Sequence, residues 1–419
     1  MPVLYRKNVL DKSVKLEKNE GEKQKNGGLT SLAGITQTIG GITSAGICSA
    51  EGLLSNILLD RRVQLHTILK NLNNLIYIGG HMSTKTALII GITSQDGSYL
   101  AELLLEKSYN VVGMARRHTS NELSNVRHLI GKISIEYGDL IDPITMTNLI
   151  LKIQPDEVYN FAAQSIPADA WQQPITTAEI TGVGPMRIME AIRLHKPDTK
   201  FYQASSREMF GGCKQEVLDE KAIISANSPY GASKLYAHMM VNVYRQSYNL
   251  FACSGIAFNH DSPRTSLHFV TRKISAAAAC IKLGVTNPPT NELGEPLITS
   301  QQKVKLGNLN GARDWGYAKE FVEAMWLMLQ QDEPDDYVIA SGSVHTVRNI
   351  CEIAFGHVGL EWEKHVEVDP RFLRPTEVFS SRGDFSKAKA KLGWYPKTTF
   401  EELITMIVDK DLERMKKYL

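Results

Sequence analysis

The sequence predicts an α/β protein: a parallel sheet with helices on both faces, joined to a smaller, mostly C-terminal α/β domain. Three observations carry that expectation. Short apolar runs alternate with helical stretches from Lys85 onward. The first of these runs ends in a glycine-rich turn, Gly91-Ile92-Thr93-Ser94-Gln95-Asp96-Gly97, that opens into a helix. The composition is that of an ordinary globular chain, with 419 residues, 43% hydrophobic and 22% charged.

The chain does not start with that pattern. Its first 25 residues are polar and lysine-rich and read as a solvated, disordered tail. From Asn26 to Ala50 there is no charged residue, but glycine and hydroxyl residues interrupt the run too often for a membrane span or a signal peptide. Leu54, Leu58, Leu65, Ile68, Leu72 and Leu75 then form a stripe with three- and four-residue steps. That stripe suits either a short coiled coil for self-association or an amphipathic helix packed on its own domain. Gly79-Gly80-His81-Met82 reads as a linker, or as the join to a new start at Met82. Residues 1–82 are therefore taken as an N-terminal extension and set apart from the fold.

The strands follow in order. Ala87-Leu88-Ile89-Ile90 is the first, short and uniformly apolar as a strand covered on both faces should be. A helix with Leu100, Leu103 and Leu104 on one face succeeds it. Val111–Met114, Ile133–Tyr137, Glu157–Phe161 and Lys200–Ala204 are the next four strands, with helical segments between them. Such alternation implies right-handed crossovers and a Rossmann-type sheet. Residues 83–258 are assigned to a dinucleotide-binding domain, with a later return near 312–345. Residues 259–419 form mainly the substrate domain.

A glycine turn between strand and helix lets backbone amides reach a pyrophosphate at the positive end of the helix. Gly91, Thr93, Gln95, Asp96 and Gly97 are the residues of that turn assigned to the cofactor, and Ser94 stands where the usual motif has its middle glycine. At the end of the second strand an acidic residue would select NAD. This chain has Arg116 and Arg117, whose guanidiniums suit the 2′-phosphate of NADP, the competing reading being ordinary surface charge. Asp139, after the third strand, can accept a hydrogen bond from an adenine amino group.

Tyr230 and Lys234 share a helix face, and an ammonium beside a phenol lowers its pKa, which makes the phenolate a usable base for a sugar hydroxyl. Ser206 lies 24 residues before Tyr230, after the fifth strand, and can hold the same hydroxyl. Glu208, two residues on, is a candidate base for a carbon acid.

From Met82 to the C-terminus, about four fifths of the chain, the ordered phrases become specific. They are Gln95-Asp96-Gly97-Ser98-Tyr99-Leu100, Gln154-Pro155-Asp156-Glu157-Val158-Tyr159-Asn160, Gln203-Ala204-Ser205-Ser206 with Glu208, and Ser228-Pro229-Tyr230 with Lys234. Phe258-Asn259-His260, Phe269–Ile274, Leu306-Gly307-Asn308, Arg313-Asp314-Trp315-Gly316, and Arg374-Pro375 with Glu377 follow. The stretch resembles the extended short-chain dehydrogenase/reductase superfamily and, within it, the GDP-mannose 4,6-dehydratase family. The resemblance implies NADP as cofactor and a hydro-lyase that converts an NDP-hexose, GDP-mannose first, to the 4-keto-6-deoxy sugar. It implies Ser206, Glu208, Tyr230 and Lys234 as catalytic residues, and adds Leu140 and Ala162 to the cofactor contacts. It implies Asn259, Arg313 and Arg374 on the diphosphate and nucleotide, Glu377 on the nucleotide ribose, and Lys273 among the substrate contacts. A cytoplasmic homodimer or homotetramer without membrane or nucleic-acid partner goes with it.

Departures from the family pattern are local. Ser206 replaces a threonine, and Arg207 stands where a small residue is usual. Gln-Ser-His-Val becomes Gln164-Ser165-Ile166-Pro167, and Pro-Arg-Arg-Gly-Glu becomes Pro263-Arg264-Thr265-Ser266-Leu267. The stretch from Val285 to Lys303 is longer than the family norm. Two alternatives follow: a 4-epimerase or reductase on the same fold, which has no use for Glu208, and a catalytically inactive NADP-binding module.

The net charge of +2 offers no basic field for nucleic acid. Five scattered cysteines with no C-x-x-C pair predict reduced, buried thiols rather than disulfides or a metal site.

Overall fold

The computed structural model describes residues 84–117, 123–166, 168–373 and 379–419. The extension with its Leu54–Leu75 stripe lies outside the described residues, as do Arg374 and Glu377.

Strand β1 (Thr86–Ile90) enters the middle of a seven-stranded sheet. Helix α1 (Gln95–Glu106) follows and leads to β2 (Asn110–Ala115) and β3 (Ser134–Tyr137) on one side. Helix α2 (Pro143–Ile153) then crosses to β4 (Glu157–Asn160) on the other side of β1. Helix α3 (Gly184–His195) leads to β5 (Lys200–Ser206), and α4 (Pro229–Tyr248) leads to β7 (Ala252–Ala257). Between them β6 (Val217–Leu218) stands apart from the sheet. The spatial order is β11-β7-β5-β4-β1-β2-β3, with β11 (Asp336–Ile339) at the edge and all neighbours parallel. The five expected strands are all present. Strands β7 and β11 extend the sheet beyond them, and β5 runs two residues further, to Ser206.

The sheet is covered on both faces, and β1 shows how. Ala87 and Ile89 point to a layer with Leu100 and Leu104 of α1 and Phe321 and Met325 of α6 (Ala318–Leu329). Leu88 and Ile90 point to the opposite layer, with Met146 and Leu149 of α2, Ile188 and Ile192 of α3, and Val241 of α4. Alternate residues of a strand face opposite sides, so a run that is apolar at every position needs two cores.

Local sequence starts the helices where the site needs them. Ser94 caps α1 by accepting from Gly97 N at 3.0 Å. Ser228 caps α4 by accepting from Gly231 N at 3.0 Å, with Pro229 at the first helical position.

The C-terminal part adds a second core. Strand β8 (Asn259–Asp261) pairs in parallel with β10 (Ala312–Tyr317), which pairs antiparallel with β12 (Val344–Thr346). Helix α5 (Val270–Leu283), α7 (Val347–His357) and, beyond β14 (Arg382–Gly383) and α8 (Ser386–Leu392), α9 (Phe400–Met415) enclose Ile274, Cys280, Trp315, Phe355 and Ile407. Cys213, Cys253, Cys280 and Cys351 are free and buried, as expected; Cys48 lies outside the described residues. No described helix is long and apolar enough to cross a membrane.

One buried carboxylate ties α9 to α5. Asp411 is fully buried and accepts from Arg272 Nε at 2.8 and 3.0 Å and from Ser275 Oγ at 2.9 Å. Removing one partner of a buried ion pair leaves the other charge uncompensated, at a cost of about 3–5 kcal/mol. Asp411→Ala is therefore expected to lower the unfolding free energy by about that amount in a urea titration. A loss below roughly 1 kcal/mol, the range of an exposed pair, would contradict this role.

Candidate active site

The site is built at the carboxyl ends of β1, β4 and β5, where the chain reverses its winding direction. Gly91, just past β1, has φ +89°, and a Cβ there would lie 2.8 Å from Ala162 N. A Cβ on Gly97 would lie 2.5 Å from Gly91 O. The two glycines thus let the turn after β1, the start of α1 and the chain after β4 meet backbone to backbone. Ser94, in place of the middle glycine, is extended (φ −66°, ψ 166°) and uses its hydroxyl as the helix cap. Thr93 O accepts from Asn125 Nδ2 at 3.1 Å. Ala162 N donates to Ile90 O and to Asn160 Oδ1, both at 3.2 Å.

Gln95 and Asp96 are tied to the segment after β7. Gln95 Nε2 donates to His260 O at 2.8 Å, and its Oε1 accepts from Ser262 Oγ at 2.7 Å and Thr265 Oγ1 at 2.8 Å. Asp96 Oδ2 lies 2.9 Å from His260 Nε2. Burial alone would lower the His260 pKa, but the Asp96 carboxylate and the Phe258 carbonyl raise it to about 9.

Arg116 and Arg117 follow β2 and are exposed, with Arg117 over the Tyr137 ring at 4.8 Å. Asp139 Oδ1 accepts from Ile141 N at 3.1 Å, and Leu140 is buried with its carbonyl accepting from Arg187 Nη1.

The four predicted catalytic residues converge. Ser206 ends β5 and caps the 3-10 turn Arg207–Phe210, accepting from Glu208 N at 3.2 Å. Tyr230, in the first turn of α4, hydrogen-bonds Ser206 and feels the charge of Glu208. Tyr230, Glu208 and Lys234 are all buried.

Their electrostatics differ from the sequence expectation. Lys234 Nζ donates to Ala204 O at 2.7 Å and lies 5.8 Å from the Tyr230 ring centre. The Tyr230 pKa is raised, not lowered: burial and the Glu208 charge outweigh the Ser206 hydrogen bond. Burial lowers Lys234 to about 8, with Asp96 opposing. The ammonium thus keeps its proton near neutrality and is held against the end of β5 by a backbone carbonyl.

The predicted substrate residues are not gathered with these four in the same way. Asn259 opens β8, and its buried Oδ1 meets no donor among the described residues. Arg313 is buried in β10 and donates to Ala312 O at 2.7 Å. Lys273, on α5, pairs with Glu292 and lies over the Phe372 ring at 4.3 Å. That pairing puts Lys273 against the long Val285–Lys303 segment. The Asp96–His260 pair was missed in the sequence; the available signal was Asn259-His260 directly after a buried strand.

This architecture defines a class: short-chain dehydrogenase/reductase-type, with the solved structures it resembles. A UDP-glucose 4-epimerase from Thermus thermophilus, solved with NAD, superposes with a TM-score of 0.65 at 25% identity, covering 78% of this chain and 98% of that one. The dTDP-glucose 4,6-dehydratase of Bacillus anthracis gives a TM-score of 0.66 at 20% identity, over 80% and 98%. A family profile described as "GDP-mannose 4,6 dehydratase" matches residues 88–407. GDP-mannose 4,6 dehydratase 1 of Arabidopsis thaliana is 46% identical over 345 residues, 80% of this chain and 91% of its own length. The human GDP-mannose 4,6 dehydratase is 43% identical over 357 residues, 79% and 92%. The chain belongs to the GDP-mannose 4,6 dehydratase family.

The His260–Asp96 pair makes a pH prediction. A pKa raised on folding adds stability that is fully present below the unfolded value, near 6.5, and is lost as pH rises through about 9. The Tm difference between the protein and its His260→Gln variant should therefore be largest near pH 6 and shrink through pH 9. A difference independent of pH across that window would contradict the pairing.

Proposed function

We propose that this chain is a nucleotide-sugar 4,6-dehydratase, a hydro-lyase that converts GDP-mannose to GDP-4-keto-6-deoxymannose with loss of one water and NADP as a catalytic cofactor. The observation that carries the reading is the convergence of Ser206, Glu208, Tyr230 and Lys234 at one sheet end, in a chain 46% identical to a GDP-mannose 4,6 dehydratase. Residues 83–258 serve as the cofactor domain and 259–419 mainly as the substrate domain.

The cofactor fits the cradle. Neither Gly91, which faces the backbone of Ala162, nor Gly97 has room for a Cβ, which leaves amides and a helix N-terminus facing a pyrophosphate. Gly91, Thr93, Gly97 and Ala162 would hold it through backbone, while Gln95 and Asp96 brace the turn. Asp139 and Leu140 would border the adenine, and Arg116 the 2′-phosphate. When bound, the nicotinamide would supply reversible hydride chemistry between sugar C4 and C6 without being consumed.

The chain's own residues do the rest. Tyr230 takes the proton of the C4 hydroxyl, and the Ser206 hydroxyl orients the same oxygen. The Lys234 ammonium stabilises the phenolate as it forms, against a burial that otherwise keeps the phenol protonated. With C4 a ketone, the C5 proton is acidic, and the Glu208 carboxylate removes it. The C5–H and C6–O bonds break, a C5–C6 double bond forms, and the C6 oxygen leaves with a proton as water. Reduction at C6 and protonation at C5 complete the product. Asn259, Arg313 and Arg374 are assigned to the diphosphate and nucleotide, Glu377 to the nucleotide ribose, and Lys273 to the substrate contacts; guanidiniums suit phosphate by geometry.

The protein acts in the cytoplasm, and as a homodimer or homotetramer, the assembly being favoured by exposed Tyr236, Met239 and Val243 on α4 and Ile175 before it.

Two experiments test the proposal. Glu208→Gln keeps the shape and removes the base, and should bind GDP-mannose yet lose about 10²–10⁴-fold in formation of the 6-deoxy product. The unaltered protein run in D₂O should carry deuterium into the product at C5. Dehydration at an undiminished rate in the variant would remove Glu208 from the mechanism, and a 4-epimerase would show neither water loss nor this label. The cofactor is tested separately by titration: NADP should bind more tightly than NAD, and Arg116→Ala should narrow the gap by about tenfold or more, the scale of one charge-assisted hydrogen bond. Equal affinities in the unaltered protein would contradict NADP preference.

A further inference from the structure

Arg207 is where the chain departs from its family beside the catalytic base, and the structure gives it work. It is the first residue of the 3-10 turn that carries Glu208, and it is 2% exposed. Its Nη2 donates to Ser381 Oγ at 2.9 Å and to Phe379 O at 3.2 Å, with the guanidinium 5.8 Å from the Phe258 ring centre. Those acceptors lie more than 170 residues away in sequence, on the segment that leads into β14.

That segment is itself anchored. Arg382 N donates to Glu216 O at 2.9 Å as β14 pairs with β6, and Gly383 N donates to Asp314 Oδ2 at 3.0 Å. Asp314 also accepts from Ser341 N at 2.8 Å and from Gly342 N at 2.9 Å, and it is the neighbour of Arg313. Residues 379–383 are therefore a strap fastened to β6, to β10 and to the turn after β11. Arg207 fastens the catalytic turn to the same strap.

The turn is held from its other side as well. A Cβ on Gly231 would lie 2.4 Å from Glu208 O, so the first turn of α4, with Tyr230 in it, packs directly on the backbone of Glu208. Ser206 Oγ holds Glu208 N from within. The turn between these supports is four residues long, and Arg207 ties it by a charged side chain to the strap in the C-terminal half of the chain.

We infer that Arg207 is a positioning residue, which sets Glu208 over the C5 hydrogen of the sugar by anchoring its turn to the 379–383 strap. The inference rests on the dehydratase reading above. A small residue at this position leaves the turn to α4 alone. Here the guanidinium adds a second fixed point on the substrate side, so the base and the sugar-binding half move as one body. A base displaced by about 1 Å loses on the order of 10² in rate while binding is little changed.

The test is kinetic, on the full chain with GDP-mannose and with GDP-mannose deuterated at C5. Arg207→Ala should lower kcat on the order of 10²-fold with KM within about threefold of the original. Ser381→Ala removes one acceptor and should lower kcat by about tenfold, the scale of one hydrogen bond to a charged group. Arg207→Lys, which keeps the charge and can reach one acceptor, should fall between the alanine variant and the unaltered protein. In the alanine variants the isotope effect on kcat from C5 deuteration should rise, because proton removal becomes the slow step. A merely structural loss would lower the amount of active protein without moving the isotope effect. Unchanged kcat and isotope effect in Ser381→Ala and Arg207→Lys overturn the inference even if Arg207→Ala fails to fold; so does a rise in KM alone. An unaltered protein that releases no water from GDP-mannose overturns the dehydratase reading instead.

Discussion

The whole candidate site depends on one close approach of backbone to backbone. The turn after β1, the start of α1 and the chain leaving β4 meet where neither Gly91 nor Gly97 has room for a Cβ. The parallel ladder then carries that fixed point sideways. Ile90 is in register with Asn160, and Asn160 with Gln203, so β5 ends in Ser206 three residues further along the same sheet end. Ser206 turns the chain into the Glu208 turn, and α4 returns Tyr230 to it. The cofactor cradle and the acid–base groups are thus spaced by hydrogen-bond register, which tolerates less error than loops do.

The chain buries many charges, and it does so in pairs or knots that tie separate segments together. Asp96 meets His260, Asp411 meets Arg272, and Lys273 meets Glu292. Among the described residues Asp314 collects two backbone amides from the turn after β11 and one from Gly383. Burial raises its pKa while these donors oppose the shift. A buried charge left without such partners would cost several kcal/mol, so each pair specifies which segments must lie together more sharply than it adds net stability.

Much of this was legible in the sequence, for a physical reason. The strands that form the sheet centre are covered on both faces, so they read as unbroken apolar runs, and the glycine turn sits at a place where no other residue fits. Strands β7 and β11 were not legible in the same way. Ala252-Cys253-Ser254-Gly255 is made of small residues because Gly255 packs against the Tyr202 ring, and small residues carry no strand signal. The four candidate catalytic residues were legible as residue types at known spacing, but their charge states were not. Lys234 four residues after Tyr230 implies a lowered phenol pKa; the helix geometry instead sends the ammonium to the Ala204 carbonyl, and desolvation dominates. Spacing along a helix predicts which face a side chain shares, not which acceptor it will choose at the end of a long, flexible stem. Arg207 shows the same limit. Its hydrogen bonds to Phe379 and Ser381 depend on a strap that no local pattern announces.

The departures from the family pattern can be ordered by what replaces the lost group. In Pro263-Arg264-Thr265-Ser266-Leu267 the second arginine of the family phrase is Thr265. Its hydroxyl accepts from Ser262 N at 2.9 Å and donates toward Gln95 Oε1 at 2.8 Å. A cation has become a local brace, and the segment after β8 is fastened to the glycine turn instead of presenting charge. The remaining Arg264 lies over the Tyr99 ring at 3.9 Å, donates to Ser98 Oγ at 3.0 Å and pairs with Glu102 on α1. Both positions now serve the junction between the two halves of the fold. Any charge that this segment lends a bound phosphate must come from Arg264, whose own carboxylate already competes for it.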